Sequence, residues 1–170
     1  MDNSLPREPA SEGSRDTIPH GDQVGSDGVT SPKSPIGAPK VQDILLVIFI
    51  HGFKGTDTTF NSFPSRLEHI LTETINDVKV ECIVFPAYET KGDLTEAVER
   101  FSDWLAELTV RKEVDYGAGG GAGKAKVVIC SHSMGGLLAA DSLLAFANSR
   151  ADKHAPLWPQ IIACIAFDTP

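Results

Sequence analysis

The chain predicts an α/β fold, a mainly parallel sheet of about four strands with covering helices, preceded by a disordered tail. Three observations lead there. From residue 43 onward, strand-length apolar runs rich in Ile and Val alternate with longer segments of helical apolar spacing. Continuous apolar runs suit strands buried on both faces, as parallel strands are. Strand–helix alternation is the pattern of right-handed βαβ units, which place helices on the faces of a parallel sheet. The first forty residues share none of this patterning.

Residues 1–40 hold six of the eleven prolines, many Ser, Gly and Asp, and almost no large apolar side chain. Such a stretch cannot bury enough surface to offset its ordering entropy. A disordered tail is therefore expected over 1–40 and a folded region over 41–170. SPKSP at 31–35 contains two Ser-Pro steps open to phosphorylation, with an inert linker as the plainer reading.

DILLVIFI (43–50) is the first expected strand, and HGFKGTDTTF (51–60) a loop. Asn61 or Ser62 can cap a helix with Pro64 in its first turn and Leu67, Ile70, Leu71 and Ile75 at helical spacing. VKVECIVFPAY (78–88) is a second strand ending near Pro86. Asp93 and Glu96 fit a capping box before a stripe of Leu94, Ala97, Val98, Phe101, Leu105 and Leu108. GAGGGAG (117–123) follows a helix and precedes a strand, the reverse of a phosphate loop, and reads as a surface connection. KAKVVICSH (124–132) is the third strand. Residues 134–150 form a helix that is apolar on most of its surface, and IIACIAFDTP (161–170) is the fourth strand. There is no internal repeat.

A net charge of −8 and a pI near 5.0 argue against a nucleic-acid binder, which is usually basic. Cys82, Cys130 and Cys164 lie far apart in apolar runs, so neither a metal site nor a disulfide framework is expected. Reduced, buried thiols fit best, and they favour an intracellular protein. No run approaches the roughly 20 apolar residues that span a bilayer. The first residues have no apolar core of a secretory signal and are too acidic for a transit peptide. No metal or organic cofactor is implied.

Two motifs carry chemistry. In ICSHSMGG (129–136) a buried strand passes straight into a helix through Ser131-His132-Ser133-Met134-Gly135. A serine at that turn stands clear of the carboxyl edge of the sheet. The next backbone N–H can donate to a developing oxyanion, and the helix N-terminus adds a positive end. Small residues two places either side let strand and helix come close. Gly135 fills one place, and Ser131 fills the other, where glycine is usual. The second motif, FIHGFKG (49–55), ends another parallel strand and so lies on the same sheet edge. Gly52 allows close approach. The backbone N–H of Phe53 is expected to pair with that of Met134 as an oxyanion hole, with the His51 imidazole holding the loop in shape. A chance serine cap at a helix start is the simpler alternative for Ser133, and the paired motifs speak against it.

On these residues the chain resembles the α/β-hydrolase superfamily, in particular the lipase-like serine esterases that include relatives of GPI inositol-deacylases. The resemblance spans roughly 43–170 and rests on IFIHGF, ICSHSMGG with its apolar helix, and IIACIAFDTP. It implies a nucleophile at Ser133, an oxyanion loop at His51–Phe53, and a partial α/β-hydrolase fold with Asp168-Thr169-Pro170 shaping the active edge. An ester or lipid substrate follows from it.

A serine hydrolase also needs a base and an orienting acid, in the chain order Ser…Asp/Glu…His for this superfamily. After Ser133 come only Asp141, Asp152, Asp168 and His154. Asp141 is inside the helix, and His154 belongs to a loop at the opposite sheet edge. His132 adjoins the serine but leaves the turn in another direction. Asp168 is the one acid at the correct edge, although the resemblance places the acid after a later strand. The expectation is the amino-terminal part of a hydrolase domain, with base and acid beyond Pro170. A small domain that has lost its triad and only binds is the alternative.

Overall fold

The computed structural model describes residues 43–117 and 123–170. The expected tail at 1–40 and most of the glycine-rich connection lie outside the described residues.

Four strands and three helices alternate: β1 (Asp43–Ile50), α1 (Phe63–Thr74), β2 (Val78–Val84), α2 (Leu94–Asp115), β3 (Ala125–His132), α3 (Gly135–Asn148) and β4 (Gln160–Phe167). All pairings are parallel, and the strand order is β2-β1-β3-β4. β1 and β3 sit in the centre and are the most buried strands, whereas β4 lies at an edge in spite of its unbroken apolar run Ile161–Phe167.

The two faces of β1 feed two cores. Ile44, Leu46, Ile48 and Ile50, all fully buried, pack with Ala125, Val127 and Ile129 of β3 against α2 and α3. Each of the Ile, Leu and Val side chains contributes roughly 1.5–3 kcal/mol when buried. Phe101, Leu105 and Leu108 face this core from α2, as the expected stripe requires, and Phe85, Tyr88 and Trp104 extend it. The opposite face is thinner. Val47, Phe49 and Cys130 meet Leu67 and Leu71 of α1. Ile70, expected on that stripe, is instead 58% exposed, because α1 covers only the β2 side of the sheet.

Local signals set the helix ends. Asp93 caps α2 by accepting the Thr95 N–H at 2.8 Å. Pro64 stands in the first turn of α1, where its missing N–H costs nothing, although Ser62 makes no side-chain cap bond. At the far end of α2, buried Glu113 reaches the start of β3. One carboxylate oxygen accepts the backbone N–H groups of Gly123, Lys124 and Ala125 at 2.8–3.0 Å. Glu81 on β2 pairs with Lys112 at 2.6 Å and accepts the Tyr116 hydroxyl, tying α2 to the edge strand. Burial works against its charge, but Lys112 and Tyr116 outweigh burial and hold the Glu81 carboxyl below its usual range.

The cysteines are free, as expected, but only Cys130 is buried. Cys82 is partly covered and Cys164 exposed, because β2 and β4 are the edge strands. Burial pushes the Cys130 thiol up to about 11, and burial with nearby Glu68 pushes Cys82 up to about 12. Neither is a reactive thiolate at neutral pH. Among the described residues, no helix is long and apolar enough to cross a membrane, and no cluster of ligating side chains could hold a metal.

The two edges differ. Glu68 covers β2 by accepting the Cys82 N–H at 2.7 Å. β4 carries no such guard. Ile162, Ile165 and Phe167 are 53%, 45% and 40% exposed on a strand without charge or proline.

Two outcomes follow from this architecture. Glu113→Ala strands three backbone donors and should lower stability by about 3 kcal/mol, read from the urea midpoint. The 170-residue chain should associate through β4, so its light-scattering mass rises with concentration. Ile165→Lys should suppress that rise, and a monodisperse wild-type monomer would remove the basis for it.

Candidate active site

The parallel register of β1 and β3 pairs Ile50 with Ser131, so both strands finish level at one edge. β4 ends beside them, with His132 opposite Phe167. The residues that follow meet above that edge.

Ser133 joins β3 to α3 with φ at 53°, a left-handed conformation uncommon outside glycine. It is held there from both sides. Its N–H donates to the Phe167 carbonyl at 2.9 Å, and its own carbonyl accepts the Gly136 N–H at 2.9 Å. Met134 then starts α3. The serine thus sits at the N-terminus of a helix of 14 residues, where the backbone dipoles favour negative charge.

The loop after β1 presses against this turn. A methyl group on Gly52 would stand 2.7 Å from Ser133 Cβ and 3.2 Å from the Met134 nitrogen. One on Gly135 would stand 2.7 Å from the carbonyl oxygens of both Ile50 and His51. The two segments interlock at the two places where no side chain intervenes. Residues 52–55 form a tight turn, with the Gly55 N–H donating to the Gly52 carbonyl at 2.9 Å and Lys54 at φ 54°. The Lys54 N–H donates to Thr90 Oγ1 at 3.2 Å, which pins the far side of the turn. Phe53, between them, has a half-exposed side chain.

His51 lies beneath the loop and is fully buried. Its Nδ1 lies 3.0 Å from the Gly52 carbonyl, and its ring stacks on Tyr88 with centroids 4.8 Å apart. The Tyr88 hydroxyl donates to the His51 carbonyl at 2.9 Å, and burial raises the pKa of that phenol. Nε2 is buried and has no partner among the described residues. This imidazole is a brace under the loop.

The other expected residues divide by the pleat of β3. Ser131 points into the α2–α3 core, fully buried, and its hydroxyl donates to the Ile165 carbonyl at 3.4 Å. That contact shows how serine occupies a place where glycine is usual. His132 points to the opposite face and lines an apolar groove with Phe60, Phe63 and Phe167. Asp168 follows β4 at φ 47° and is exposed. Thr169 packs directly against Gly136, with its hydroxyl buried and unpartnered among the described residues. Sequence reasoning placed Thr169 at this edge but missed Tyr88 and Thr90, because only the fold brings them there.

Among the described residues, no histidine hydrogen-bonds to Ser133. His69 is exposed on α1, and His154 sits in a local turn where its N–H donates to Asp152 Oδ1 at 3.0 Å. His20 lies outside the described residues.

The interlock gives a direct test. Gly135→Ala drives a methyl into two carbonyl oxygens and should cost roughly 2 kcal/mol, seen as a lower thermal midpoint. Gly92→Ala, where the flexible Glu89 side chain is the nearest neighbour and the Glu89 carbonyl stands at an ordinary contact distance, should change stability by less than about 0.5 kcal/mol.

No curated protein matches the chain. Solved structures that resemble it in part include two of one enzyme. Phospholipase PlaB from Legionella pneumophila aligns with a TM-score of 0.48 at 23% identity, over 62% of this chain and 22% of that one. The same enzyme in complex with thio-NAD aligns with a TM-score of 0.43 at 18% identity, over 60% and 21%. The chain spans about a fifth of the length of those structures. The family described as "Putative serine esterase (DUF676)" matches residues 41–169, and the chain, with its Ser133 turn and His51–Phe53 loop, belongs to that family.

Proposed function

We propose that this chain carries the nucleophile and oxyanion-binding part of a serine ester hydrolase of lipase or carboxylesterase type. The observation that supports it most is the left-handed Ser133 at the β3–α3 junction, locked against Gly52. A strained turn of this kind lifts a serine hydroxyl out of the sheet edge and keeps it from relaxing into the helix.

In this reading Ser133 Oγ attacks the ester carbonyl carbon and passes its proton to a general base. The carbonyl oxygen becomes an oxyanion that accepts from the N–H groups of Met134 and Phe53, with the amino end of α3 adding positive potential. One such donor is worth about 3 kcal/mol at the transition state. The intermediate collapses to an acyl-serine and releases the alcohol, and water then frees the acid. His51 positions the loop and takes no proton. Gly52 and Gly135 hold the two donor segments together. Ser131, His132 and Asp168 shape the edge. The base and the acid that orients it come from outside residues 43–170.

A second reading has a specific basis in the lack of any described histidine hydrogen-bonded to Ser133. In it the same fold binds ester-like ligands without turning them over.

Reaction with a fluorophosphonate separates the two. The chain should form an adduct on the Ser133 peptide, identified by mass spectrometry, at a rate well below that of a complete triad. Ser133→Ala should abolish it. No adduct after prolonged reaction, or equal labelling of the variant, overturns the hydrolase reading.

A further inference from the structure

We propose that Tyr88 and Thr90, both carried by the segment between β2 and α2, are positioning residues that aim the Phe53 N–H at the developing oxyanion. The proposal rests on the reading of Ser133 as nucleophile. It gives a part in the reaction to a segment that contributes no reacting atom.

Three consecutive peptide groups surround this N–H, and each is held. The Gly52–Phe53 peptide is trans, so its carbonyl and its N–H point in opposite directions. The carbonyl accepts the Gly55 N–H at 2.9 Å and faces His51 Nδ1 at 3.0 Å, inside the turn. The Phe53 N–H is thereby directed out of the turn. Among the described residues it donates to no acceptor, and neither does the Met134 N–H. The two free donors belong to adjoining segments. A methyl group on Gly52, the residue bonded to the Phe53 nitrogen, would stand 3.2 Å from the Met134 nitrogen.

The neighbouring peptides are tethered from the β2–α2 segment. On one side the Tyr88 hydroxyl donates to the His51 carbonyl at 2.9 Å, and on the other the Lys54 N–H donates to Thr90 Oγ1 at 3.2 Å. Glycine offers little resistance of its own to a turn of the peptide plane beside it. The tethers supply that resistance, because they fix the two ends of the turn and so keep the Gly52 carbonyl opposite the Gly55 N–H. Their base is rigid. The Phe85 N–H donates to the Phe49 carbonyl at 2.8 Å, and the Phe85 ring packs on Phe101 and Trp104 at 5.0 Å each. Asp93 caps α2 at the other end of the segment. Tyr88 is buried with its ring stacked on His51, so loss of its hydroxyl alone leaves that packing in place.

Two measurements on the dilute full chain test this. Hydrogen exchange, read by mass spectrometry on the peptide carrying Gly55, reports whether the Gly52 carbonyl stays held. Thr90→Val and Tyr88→Phe should each speed that exchange at least about fivefold, the worth of one hydrogen bond. Thr90→Ser keeps the acceptor and should not. Reaction with a fluorophosphonate reads the consequence. Ser133 Oγ bonds to phosphorus, the P–F bond breaks, fluoride leaves, the hydroxyl proton passes to water, and the phosphoryl oxygen takes the oxyanion's place. Losing an oxyanion donor outright slows a reaction about 10²–10³-fold, so misaiming one should slow labelling of Thr90→Val and Tyr88→Phe at least about fivefold. The rates are compared where circular dichroism shows every variant folded, a condition under which a merely structural role changes nothing. Thr90→Ser should restore the wild-type rate. Labelling of Thr90→Val and Tyr88→Phe as fast as the wild type overturns the positioning role alone. Slower labelling with unchanged exchange also overturns it, since the effect then does not pass through the turn. A Thr90→Ser variant as slow as Thr90→Val does the same. No adduct on the wild type removes the nucleophile, and this proposal with it.

Discussion

The close approach of two backbone turns, at Gly52 and Gly135, is the constraint on which the site depends. Each glycine lies where a Cβ would come within 2.7 Å of the other segment. Backbone packed on backbone has no side chain to adjust, so the relative position of the two turns is set by the strands below them. The parallel register that places Ile50 beside Ser131 is therefore a condition for the site. A one-residue slip would move every β1 side chain to the wrong face and carry Gly52 away from Ser133. The hydrophobic cores on either side of β1 make that slip costly.

Chemistry drawn from the main chain suits such a scaffold. The oxyanion donors proposed at Phe53 and Met134 are backbone N–H groups, so their aim would be a property of the turns and would survive changes of side chain. The side chains that matter here act from below. His51 fills the space under the loop, stacks on Tyr88 and faces the Gly52 carbonyl. Tyr88 returns a hydrogen bond to the His51 carbonyl. The loop is braced from a second strand end, that of β2, as well as from its own.

Coverage of the sheet is uneven, and the unevenness has consequences. α2 and α3 bury one face from β1 to β3, while α1 shields only the β1–β2 half of the other. The region left open holds the carboxyl half of β4 and the apolar groove beside Ser133. One cause therefore underlies both the exposed Ile165 and Phe167 of β4 and the accessible aromatic walls near the serine.

Much of this was legible in the sequence, for identifiable reasons. Strand and helix order follows from apolar period, and Asp93 marks a helix start because its side chain satisfies an N–H that the helix leaves over. Ser133 and Gly52 stand out because a strand running into glycine has a backbone purpose. These are local properties, carried by neighbours in the chain. The burial of individual side chains was not legible in the same way. Ile70 and Cys164 read as core, yet are exposed, since burial depends on which elements cover a face, and α1 and the sheet edge decide that. Ser131 and His132 are adjacent in sequence, but the pleat sends one into the core and the other into the groove. Glu113 gives no hint in a helix of charged residues that it holds the start of β3. Thr169 and Tyr88 reach the site from strand ends distant in the chain. The sequence by itself determined the secondary structure, the fold class and the strand-to-helix turn at Ser133. Only the tertiary structure decided what surrounds that turn, because strand register and helix coverage are set by contacts between residues far apart in the chain.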